Sequence, residues 1–344
     1  MPLSLKPIHE QVIVITGASS GIGLATARQA ARQGARLVLA ARSEETLAQL
    51  VTNLTSTGAE VIHVVADVGE QADVERIARA AIDRFGGFDT WVNNAAVSIW
   101  GRLEEVSDED HQRLFRTNFW GVVYGSLIAL KTLKQRGGAL INLGSLASDM
   151  AHPLQGMYSA SKHAIKGFTD ALRMELQEEH APVSVTLIKP GSIDTPFPEH
   201  AKKYTAGEPN LPPPVYPPEE VATAILFAAT HAKRDIYVGS SSRTLSLLHR
   251  AAPWVSDRVG STVMYSMQLR DEPARNRAGA LHEPSGTGRA WGDAARVRRA
   301  SVYSRSSRHP VLTGLVLGAA GAAMYGAMAN ARKRRINAAI GRAS

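Results

Sequence analysis

Tyr158 and Lys162 stand four residues apart and could together move a proton at neutral pH. On a helix this spacing puts both side chains on one face, one turn apart, so that the ammonium can lie below the phenol. A nearby cation favours the phenolate and lowers the pKa of a tyrosine from about 10 toward neutrality. Ser145 comes thirteen residues before Tyr158 and could hydrogen-bond the same substrate oxygen as charge develops on it. These residue types predict general acid–base chemistry at a carbonyl or an alcohol.

A glycine-rich turn near the N-terminus could bind a phosphate group. It lies between a strand-like run and a helical period, where glycines let the backbone approach a pyrophosphate and the helix N-terminus favours its charge. The three-residue gap between Gly17 and Gly21 differs from the common G-x-G-x-x-G spacing of dinucleotide sites. The residues expected to contact a cofactor here are Gly17, Ser19, Ser20, Gly21, Ile22 and Gly23.

Short apolar runs alternate with longer helical periods and supply the elements that must position these groups. The runs are Val12–Thr16, Leu37–Ala40, Val61–Ala66, Thr90–Asn93, Ala139–Leu143, Val183–Ile188 and Ile236–Val238. The helical periods are Ile22–Gln33, Glu44–Ser56, Asp73–Phe85, Asp108–Gln135, Tyr158–Glu179 and Glu219–Ala229. Continuous apolar strands between helices predict an α/β fold, with a doubly wound, seven-stranded parallel sheet covered by helices on both faces. We expect one catalytic domain over residues 9–240.

Several motifs recur in an order that resembles the short-chain dehydrogenase/reductase family in its ordinary form of about 250 residues. They are the T-G-x-x-x-G-x-G turn at residues 16–23, Asn93-Asn94-Ala95-Ala96 with Ala96 in place of the usual glycine, Asn118, Ser145, the Y-x-x-x-K of Tyr158 and Lys162, and Pro190-Gly191. A lone Y-x-x-x-K would be a weak signal, whereas the ordered set is specific. The resemblance covers residues 9–240 and implies a Rossmann fold.

The resemblance also implies an activity and the residues that carry it. It implies an oxidoreductase that interconverts a ketone or aldehyde and an alcohol, with Asn118, Ser145, Tyr158 and Lys162 as catalytic residues. Tyr158 would be the general acid and base, helped by an oxidised nicotinamide, and Lys162 would also bind the nicotinamide ribose. An asparagine at position 118 would hold a water that connects the lysine to solvent. Further cofactor contacts implied in this way are Asn94, Ala95, Pro190, Gly191, Ile193 and Thr195.

The end of the second strand indicates which dinucleotide is used. NAD enzymes of the family carry an acidic residue where this chain has Ala41, and Arg42 comes next. An arginine fork suits a 2′-phosphate, so we expect NADP(H) in preference to NAD(H), unless Arg42 is only a solvated surface residue. After the third strand, Asp67 resembles the residue that contacts the adenine ring, and Val68 would pack beside it.

Two other functions remain open on the same sequence. The fold could serve an epimerase or a dehydratase, or the chain could be a nucleotide-binding scaffold without turnover. The complete catalytic set argues against the scaffold, and no metal site is expected. His163 follows Lys162 and is interpreted as structural, and His152 is left undecided.

The segment 194–218 interrupts the alternation with eight prolines and cannot be regular helix or central strand. A long irregular loop in such a domain is typical of a lid or a binding loop, although a plain surface excursion is the alternative.

The C-terminal hundred residues differ in character from the catalytic part. The chain has a formal net charge of +8, and most of the excess basic residues lie beyond Arg250. We expect an amphipathic helical extension at 241–269, an Arg/Gly/Ser-rich disordered linker at 270–309, an apolar Gly/Ala helix at 310–331 that could contact a membrane, and a basic tail at 332–344, so that this extension is largely non-globular. A soluble helix that packs on a second subunit is the alternative for 311–329.

The expected partners follow from these features. They are a small carbonyl or alcohol substrate, a second copy of the chain through the helices near 108–135 and 158–179, and a membrane at the C-terminal segment. Nucleic acid is not expected, because the tail carries charge but no binding motif. The absence of cysteine and of a secretory signal at the N-terminus favours a cytoplasmic protein, and the C-terminal segment would be its tether if it contacts a membrane.

Overall fold

A seven-stranded parallel sheet forms the centre of the computed structural model, which describes residues 3–298 and Ser301. Its strands are β1 (Val12–Thr16), β2 (Arg36–Ala41), β3 (Val61–Val65), β4 (Thr90–Asn93), β6 (Gly138–Leu143), β7 (Val183–Pro190) and β10 (Asp235–Val238). Four further described strands lie outside it: β5 (Ile99–Trp100), β8 (Lys202–Lys203), β9 (Gly207–Pro209) and β11 (Leu269–Pro273). The order of the main sheet is β10-β7-β6-β4-β1-β2-β3, so the predicted doubly wound fold is confirmed.

Helices cover both faces of the sheet. They are α1 (Gly21–Arg32), α2 (Glu44–Thr55), α3 (Gln71–Phe85), α4 (Asp108–Phe115), α5 (Gly121–Arg136), α6 (Gly156–Glu178), α7 (Phe197–His200), α8 (Pro218–Thr230), α9 (Ser240–Ala251), α10 (Pro253–Val259) and α11 (Tyr265–Met267). One apolar layer joins α1, α2 and α8 to the sheet, and a second layer joins α3, α5 and α6 to its other face. The central strands are buried on both sides, which explains their continuous apolar runs.

The helical period predicted over Asp108–Gln135 is divided in the structure. A π-helical turn, Arg116–Trp120, separates α4 from α5. Such a turn adds one residue to the helical repeat, which the 3.6-residue periodicity of the sequence does not reveal. The turn carries Asn118, one of the predicted catalytic residues.

The proline-rich segment 194–218 carries α7 and two short strands. β8 pairs in parallel with β5, and β9 pairs antiparallel with β11 from the C-terminal part of the chain. The segment is therefore tied at two places to neighbouring backbone.

The C-terminal region agrees with one expectation and differs from another. Residues 241–269 hold α9, α10 and α11, which fits the predicted helical extension with a break near Pro253. For residues 270–298 the expectation of a disordered linker is wrong, because this segment packs on the catalytic domain and fully buries Leu281. The sequence signal failed here because most of the contacts use main-chain atoms, which leave no apolar period.

The predicted apolar helix at 310–331 and the basic tail at 332–344 lie outside the described residues. Among the helices that the structure does describe, none is both long and apolar enough to cross a membrane.

Candidate active site

One cavity lies at the carboxyl ends of the parallel strands, where the loops after β1, β2, β4, β6 and β7 meet. This edge of a doubly wound sheet is where the strand order reverses and where such folds bind ligands. The predicted cofactor residues that line the cavity are Gly17, Ser19, Ser20, Gly21, Ile22, Arg42, Asp67, Val68, Asn94, Ala95, Tyr158, Lys162, Pro190, Gly191, Ile193 and Thr195. Most of the predicted site therefore converges on one place.

The glycine turn after β1 depends on close backbone approach. Gly17 has φ +67°, and a Cβ on it would lie 2.7 Å from Cα of Ala95. A Cβ on Gly23 would lie 2.1 Å from the carbonyl oxygen of Gly17, so Gly23 is needed for packing within the turn and is not among the cavity-lining residues. The first N–H groups of α1 have no partner within the helix, and that of Gly21 donates to the carbonyl oxygen of Arg289 at 3.0 Å. This helix end is where a dinucleotide pyrophosphate binds in this fold.

Asn94 fixes this turn from the neighbouring strand. Its side-chain amide donates to the carbonyl oxygens of Thr16 (2.9 Å) and Gly17 (3.1 Å), and its main-chain N–H donates to Oγ1 of Thr16. The side chain thus holds the glycine loop in shape, a role that the sequence motif did not specify.

Ser145, Tyr158 and Lys162 come together at the centre of the cavity. Ser145 follows β6, where its hydroxyl accepts a hydrogen bond from the N–H of Ala147 and begins a short helical turn. Tyr158 and Lys162 lie on the first turns of α6, and Nζ of Lys162 is 5.7 Å from the centre of the phenol ring. The same ammonium donates to the carbonyl oxygen of Leu143 at 2.7 Å. The spacing in sequence therefore gives the expected cluster.

Burial controls the protonation of both groups. Burial raises the pKa of Tyr158 to about 12, and a hydrogen bond with Ser145 lowers it by less. Burial lowers the pKa of Lys162 to about 7, because an ammonium loses hydration in the cavity. Lys162 is not among the groups that lower the pKa of Tyr158 here, and the predicted lowering by Lys162 together with an oxidised nicotinamide ring remains a prediction. The phenol is protonated at neutral pH and can donate.

Asn118 does not line the cavity. Its fully buried amide exchanges hydrogen bonds with the main chain of Val97, accepting at 2.8 Å and donating at 2.9 Å, and it also donates to Oγ of Ser161 at 3.2 Å. These contacts fix the chain after β4 against the start of α6. The predicted role of Asn118 in holding a water remains a prediction.

Arg42 follows β2, as predicted, but its guanidinium is occupied by main-chain oxygens. It donates to four consecutive carbonyl groups, those of Ala280, Leu281, His282 and Glu283. Nearby, Asp67 forms an ion pair with Arg113, whose hydrogen bond holds the pKa of Asp67 below its usual range against the raising effect of burial. No feature of the sequence predicted that residues 280–283 would meet Arg42.

The part of the cavity beyond Tyr158 is mainly apolar. Phe197 lies 5.5 Å from Tyr158 between ring centres and also meets Trp100 edge-on. Other apolar lining residues are Leu146, Leu211, Pro212, Leu245 and Met264. They come from three separated parts of the chain, and the sequence did not identify them.

His152, which the sequence left undecided, lines this part of the cavity. Burial lowers its pKa to about 4, and Gln155 partly opposes this through a hydrogen bond. Its Nε2 atom is buried and has no hydrogen-bond partner among the described residues. The neutral ring therefore offers one free nitrogen toward a ligand. His163, in contrast, bonds the carbonyl oxygen of Ser159 in its own helix, in keeping with a structural role.

The residues present fit a nicotinamide dinucleotide. The glycine turn, the start of α1 and the loops after β2 and β4 all contribute to the lining of the cavity that Tyr158 also lines. A dinucleotide laid along this lining would end beside the acid–base residue, which is the arrangement that hydride transfer requires.

A family model described as short chain dehydrogenase matches residues 11–205. An uncharacterized oxidoreductase, YxnA of Bacillus subtilis, is 48% identical and covers 92% of this chain and 90% of its own length. The 11-beta-hydroxysteroid dehydrogenase A of Sesamum indicum is 38% identical and covers 59% of this chain and 58% of its own length. The match to YxnA extends through the C-terminal segment, whereas the family model ends before it.

Two solved structures resemble the fold. A short chain dehydrogenase/reductase from Burkholderia phymatum in complex with NAD has a TM-score of 0.61, is 28% identical and covers 76% of this chain and 96% of its own. An alcohol dehydrogenase from the archaeon Thermococcus sibiricus complexed with 5-hydroxy-NADP has a TM-score of 0.59, is 30% identical and covers 66% of this chain and 95% of its own. The two structures hold nicotinamide dinucleotides of both kinds.

Proposed function

This chain belongs to the short-chain dehydrogenase family, and we propose that it interconverts a lipophilic ketone or aldehyde and its alcohol with NADP(H). The observation that carries the proposal is the position of Tyr158, which lies where the dinucleotide part of the cavity meets the apolar part. Nicotinamide in this cavity would supply or accept the hydride. All proton handling would then fall to residues of the chain.

The three central side chains divide that work. In reduction, the Tyr158 phenol donates its proton to the carbonyl oxygen as the alcohol forms, and in oxidation the phenolate takes it back. Ser145 donates a hydrogen bond to the same oxygen and stabilises the charge that develops there. Lys162, with a pKa of about 7, can carry a proton at neutral pH and supply positive charge next to the phenolate when it forms.

The apolar wall beyond Tyr158 supports a lipophilic substrate. Trp100, Phe197, Leu245 and Met264 give the pocket large apolar surfaces, which gain free energy by covering hydrocarbon. His152 adds one neutral nitrogen, suited to a single polar group on the same substrate. Relatives described as a hydroxysteroid dehydrogenase and a putative ketoacyl reductase are compatible with this class.

A direct assay tests the reaction. The full chain should oxidise NADPH in the presence of bulky hydrophobic ketones, and Tyr158→Phe should lower kcat by about 10³-fold, within the usual range for a lost general acid. Tyr124→Phe is the matched control, because Tyr124 lies on α5 against Trp120, outside the cavity lining. Turnover that survives Tyr158→Phe would refute the acid–base role. Dinucleotide binding without turnover on any carbonyl would favour the scaffold alternative, and release of an epimer or a dehydrated product would favour the epimerase or dehydratase.

The preference for NADP(H) rests on the end of β2. Ala41 leaves no carboxylate to repel a 2′-phosphate, and Arg42 is the nearest fixed cation on that loop. A phosphate dianion is a stronger acceptor than a carbonyl oxygen and would add a charged hydrogen bond to the Arg42 guanidinium.

Arg42→Ala tests this preference. It should raise the KM for NADPH about tenfold or more while it changes the KM for NADH by less than threefold, in line with the loss of a charged hydrogen bond. Arg36→Ala, at the other end of the same strand, is the control. Equal effects on both dinucleotides would refute a phosphate role for Arg42.

We also propose that the protein forms a homo-oligomer through α5 and α6. Trp120, Leu127 and Met174 are large apolar side chains on this side and are 45%, 49% and 62% exposed. Exposed apolar residues on adjacent helices are typical of subunit contacts. Light scattering should give a particle mass that is a multiple of the chain mass, and Leu127→Asp should reduce this particle mass. A monomer at all concentrations would contradict the proposal.

A further inference from the structure

Residues 279–292, here called the strap, lie against the dinucleotide part of the cavity. The strap begins after the β11 strand and makes its first contact with the glycine loop through main-chain atoms: the N–H of Gly21 donates to the carbonyl oxygen of Arg289 at 3.0 Å. Gly21 begins α1, so the strap reaches the helix end where a pyrophosphate binds in this fold.

A second contact joins the strap to the loop after β2. The Arg42 guanidinium donates hydrogen bonds to the four successive carbonyl groups of residues 280–283. A guanidinium has five N–H donors in a fixed plane, and four acceptors from one short segment hold that segment in one position. Arg42 therefore ties the strap to the place where the adenosine ribose is expected.

A buried side chain and two charged groups anchor the same end of the strap. Leu281 is fully buried in a cluster with Val97 and Leu114. The Arg113 side chain donates to the carbonyl oxygen of Leu281 at 3.2 Å, and His282 lies 2.7 Å from a carboxylate oxygen of Asp110. The anchor is thus on α4, next to the loop that carries Asp67.

The other end of the strap packs closely against the loop after β7. A Cβ on Gly292 would lie 2.6 Å from the carbonyl oxygen of Thr195 and 2.7 Å from Oδ1 of Asp194. The N–H of Ala294 donates to Oδ1 of Asp194 at 3.1 Å. The strap therefore spans the loops after β1, β2 and β7, three of the loops that line the dinucleotide part of the cavity.

We propose that the strap is part of the cofactor site and covers the adenosine half of the dinucleotide, so that the cofactor enters and leaves only while the strap is lifted. Three strap residues, Ala280, Pro284 and Ser285, line the same cavity as the cofactor loops, which leaves space beneath the strap. The inference rests on the proposed binding of a nicotinamide dinucleotide in this cavity. It assigns a function to a segment outside the residues that the family model matches.

The proposal has a kinetic signature. If the strap is closed in both the free and the bound protein, the open fraction limits association and release alike. The observed rate of NADPH binding should level off at high concentration at the rate of strap opening. A change that loosens the strap should accelerate both processes by a similar factor and leave Kd nearly unchanged.

Two glycines of the strap offer a matched pair of variants. Gly292→Val places methyl groups against Thr195 and Asp194, whereas Gly286→Val meets no atom within 4 Å of its Cβ. Neither glycine has positive φ, so both backbones accept valine. By stopped-flow NADPH fluorescence, Gly292→Val should raise the limiting association rate and the release rate at least tenfold each, with Kd changed less than threefold. Gly286→Val should match the unmodified protein.

A reversible lock gives a second measurement if Gly292→Val folds poorly. A Cβ on Gly288 would lie 3.3 Å from Cγ2 of Thr46, and the chain has no cysteine, so Thr46→Cys with Gly288→Cys can form one defined disulfide. Gly288 has φ +57°, where a cysteine strains the backbone, so the reduced double variant, which carries the same strain, is the reference. Oxidation should slow NADPH association and release at least tenfold, and reduction should restore both.

Each result decides between the strap and its alternatives. Unchanged rates in both the valine variant and the oxidised lock, with dinucleotide still bound, would overturn the strap and leave the proposed function standing. A large fall in Kd on Gly292→Val, with release unchanged, would also overturn it, because the strap would then occupy the cofactor position itself. Failure of the unmodified protein to bind NADPH or NADH would overturn the proposed function and the strap together.

Discussion

The catalytic core, residues 9–240, and the C-terminal segment, residues 269–298, border the same cavity by different means. The core contributes side chains of defined chemistry, such as Tyr158 and Lys162, at fixed spacings on a helix. The segment contributes mainly carbonyl groups and glycines, held by Arg42 and by close backbone contact. One site can therefore be formed by a region whose function is predictable from its sequence and by a second region whose function is not.

The two regions also differ in how they combine stability with function. The core places Lys162 in a buried position with no carboxylate partner in the part of the chain that the structure describes, and burial lowers its pKa to about 7. The segment instead helps to bury a charge pair of the 194–218 loop, because Lys203 and Glu208 both hydrogen-bond the main chain of Arg275. We therefore expect changes at the Tyr158–Lys162 cluster to cost activity, and changes where the segment packs on the core to cost stability, and four predictions test this contrast.

The largest effect is expected at Lys162. Lys162→Met should lower kcat by about 10³-fold, because the charge next to the phenolate is lost. Since the folded pKa of about 7 lies below the ordinary 10.5, the unfolded chain binds the proton more tightly between these values, and folding is penalised at neutral pH. The variant should therefore have a higher melting temperature, and its free energy of unfolding should rise by about 1–3 kcal/mol at pH 7.5. Activity and calorimetry check both parts, with Lys131→Met on exposed α5 as control; a lower melting temperature would contradict the contrast.

The next largest effect is expected at the Lys203–Glu208 ion pair of the 194–218 loop, which hydrogen-bonds the main chain of Arg275 in the segment. Lys203 is 1% exposed and donates to Glu208 at 2.7 Å, and Glu208 also accepts from the N–H of Arg275. Lys203→Met should destabilise the protein by about 3–5 kcal/mol, because it leaves a buried carboxylate without its cation. Replacing Glu208 by Gln in the same chain should recover most of the loss in urea unfolding. Equal losses of unfolding free energy in the single and double variants would indicate that the unpaired Glu208 carboxylate is not the cause of the loss.

A smaller effect is expected from the strap's apolar anchor. Leu281→Ala should lower the free energy of unfolding by about 2–4 kcal/mol, the usual cost of a cavity at a fully buried leucine. Its kcat with saturating cofactor should stay within twofold, because no reacting group is touched. Leu247→Ala, at a position that is 49% exposed, is the control for denaturation experiments. A loss of kcat without a loss of stability would reverse the contrast.

The smallest effect is expected from acid. Burial lowers the pKa of His152 and of His200 to about 4, so the unfolded chain takes up a proton at higher pH than the folded chain does. Stability should fall as the pH decreases from about 6.5 to 4, by up to about 2 kcal/mol per histidine at pH 5. His152→Asn should reduce this slope in urea unfolding between pH 7 and 5, and Asn53→Ala, at an exposed position without a titrating group, should not. An unchanged slope in His152→Asn would show that this histidine stays accessible to protons.

The fold and the core of the site could be predicted because local patterns determine them. The period of the apolar runs identified all seven sheet strands, and the ordered motifs located Tyr158, Lys162 and Ser145. The pattern could not detect the π-helical turn at Asn118, whose amide is used by the main chain of Val97 and not by the cavity. The apolar substrate wall was also missed, because its residues meet only through tertiary packing.

The hydrogen bonds of Arg42 to main-chain carbonyl groups could not be predicted from the sequence. The sequence predicts an arginine after β2 that can bind a phosphate, since it reveals the residue type and not its partners. Main-chain carbonyls some 240 positions away cannot be recognised from composition, because every residue has one.

That last property has a consequence for how the strap could change during evolution. Because Arg42 binds four peptide oxygens, the side chains of Ala280, His282 and Glu283 could be exchanged without loss of those hydrogen bonds, provided that the backbone path is kept. In saturation mutagenesis, nearly every residue at position 283 should therefore keep the strap closed. Few residues should do so at Gly292, because a side chain there has no space. Related proteins could then conserve the backbone path of the strap while their sequences in this region show no similarity.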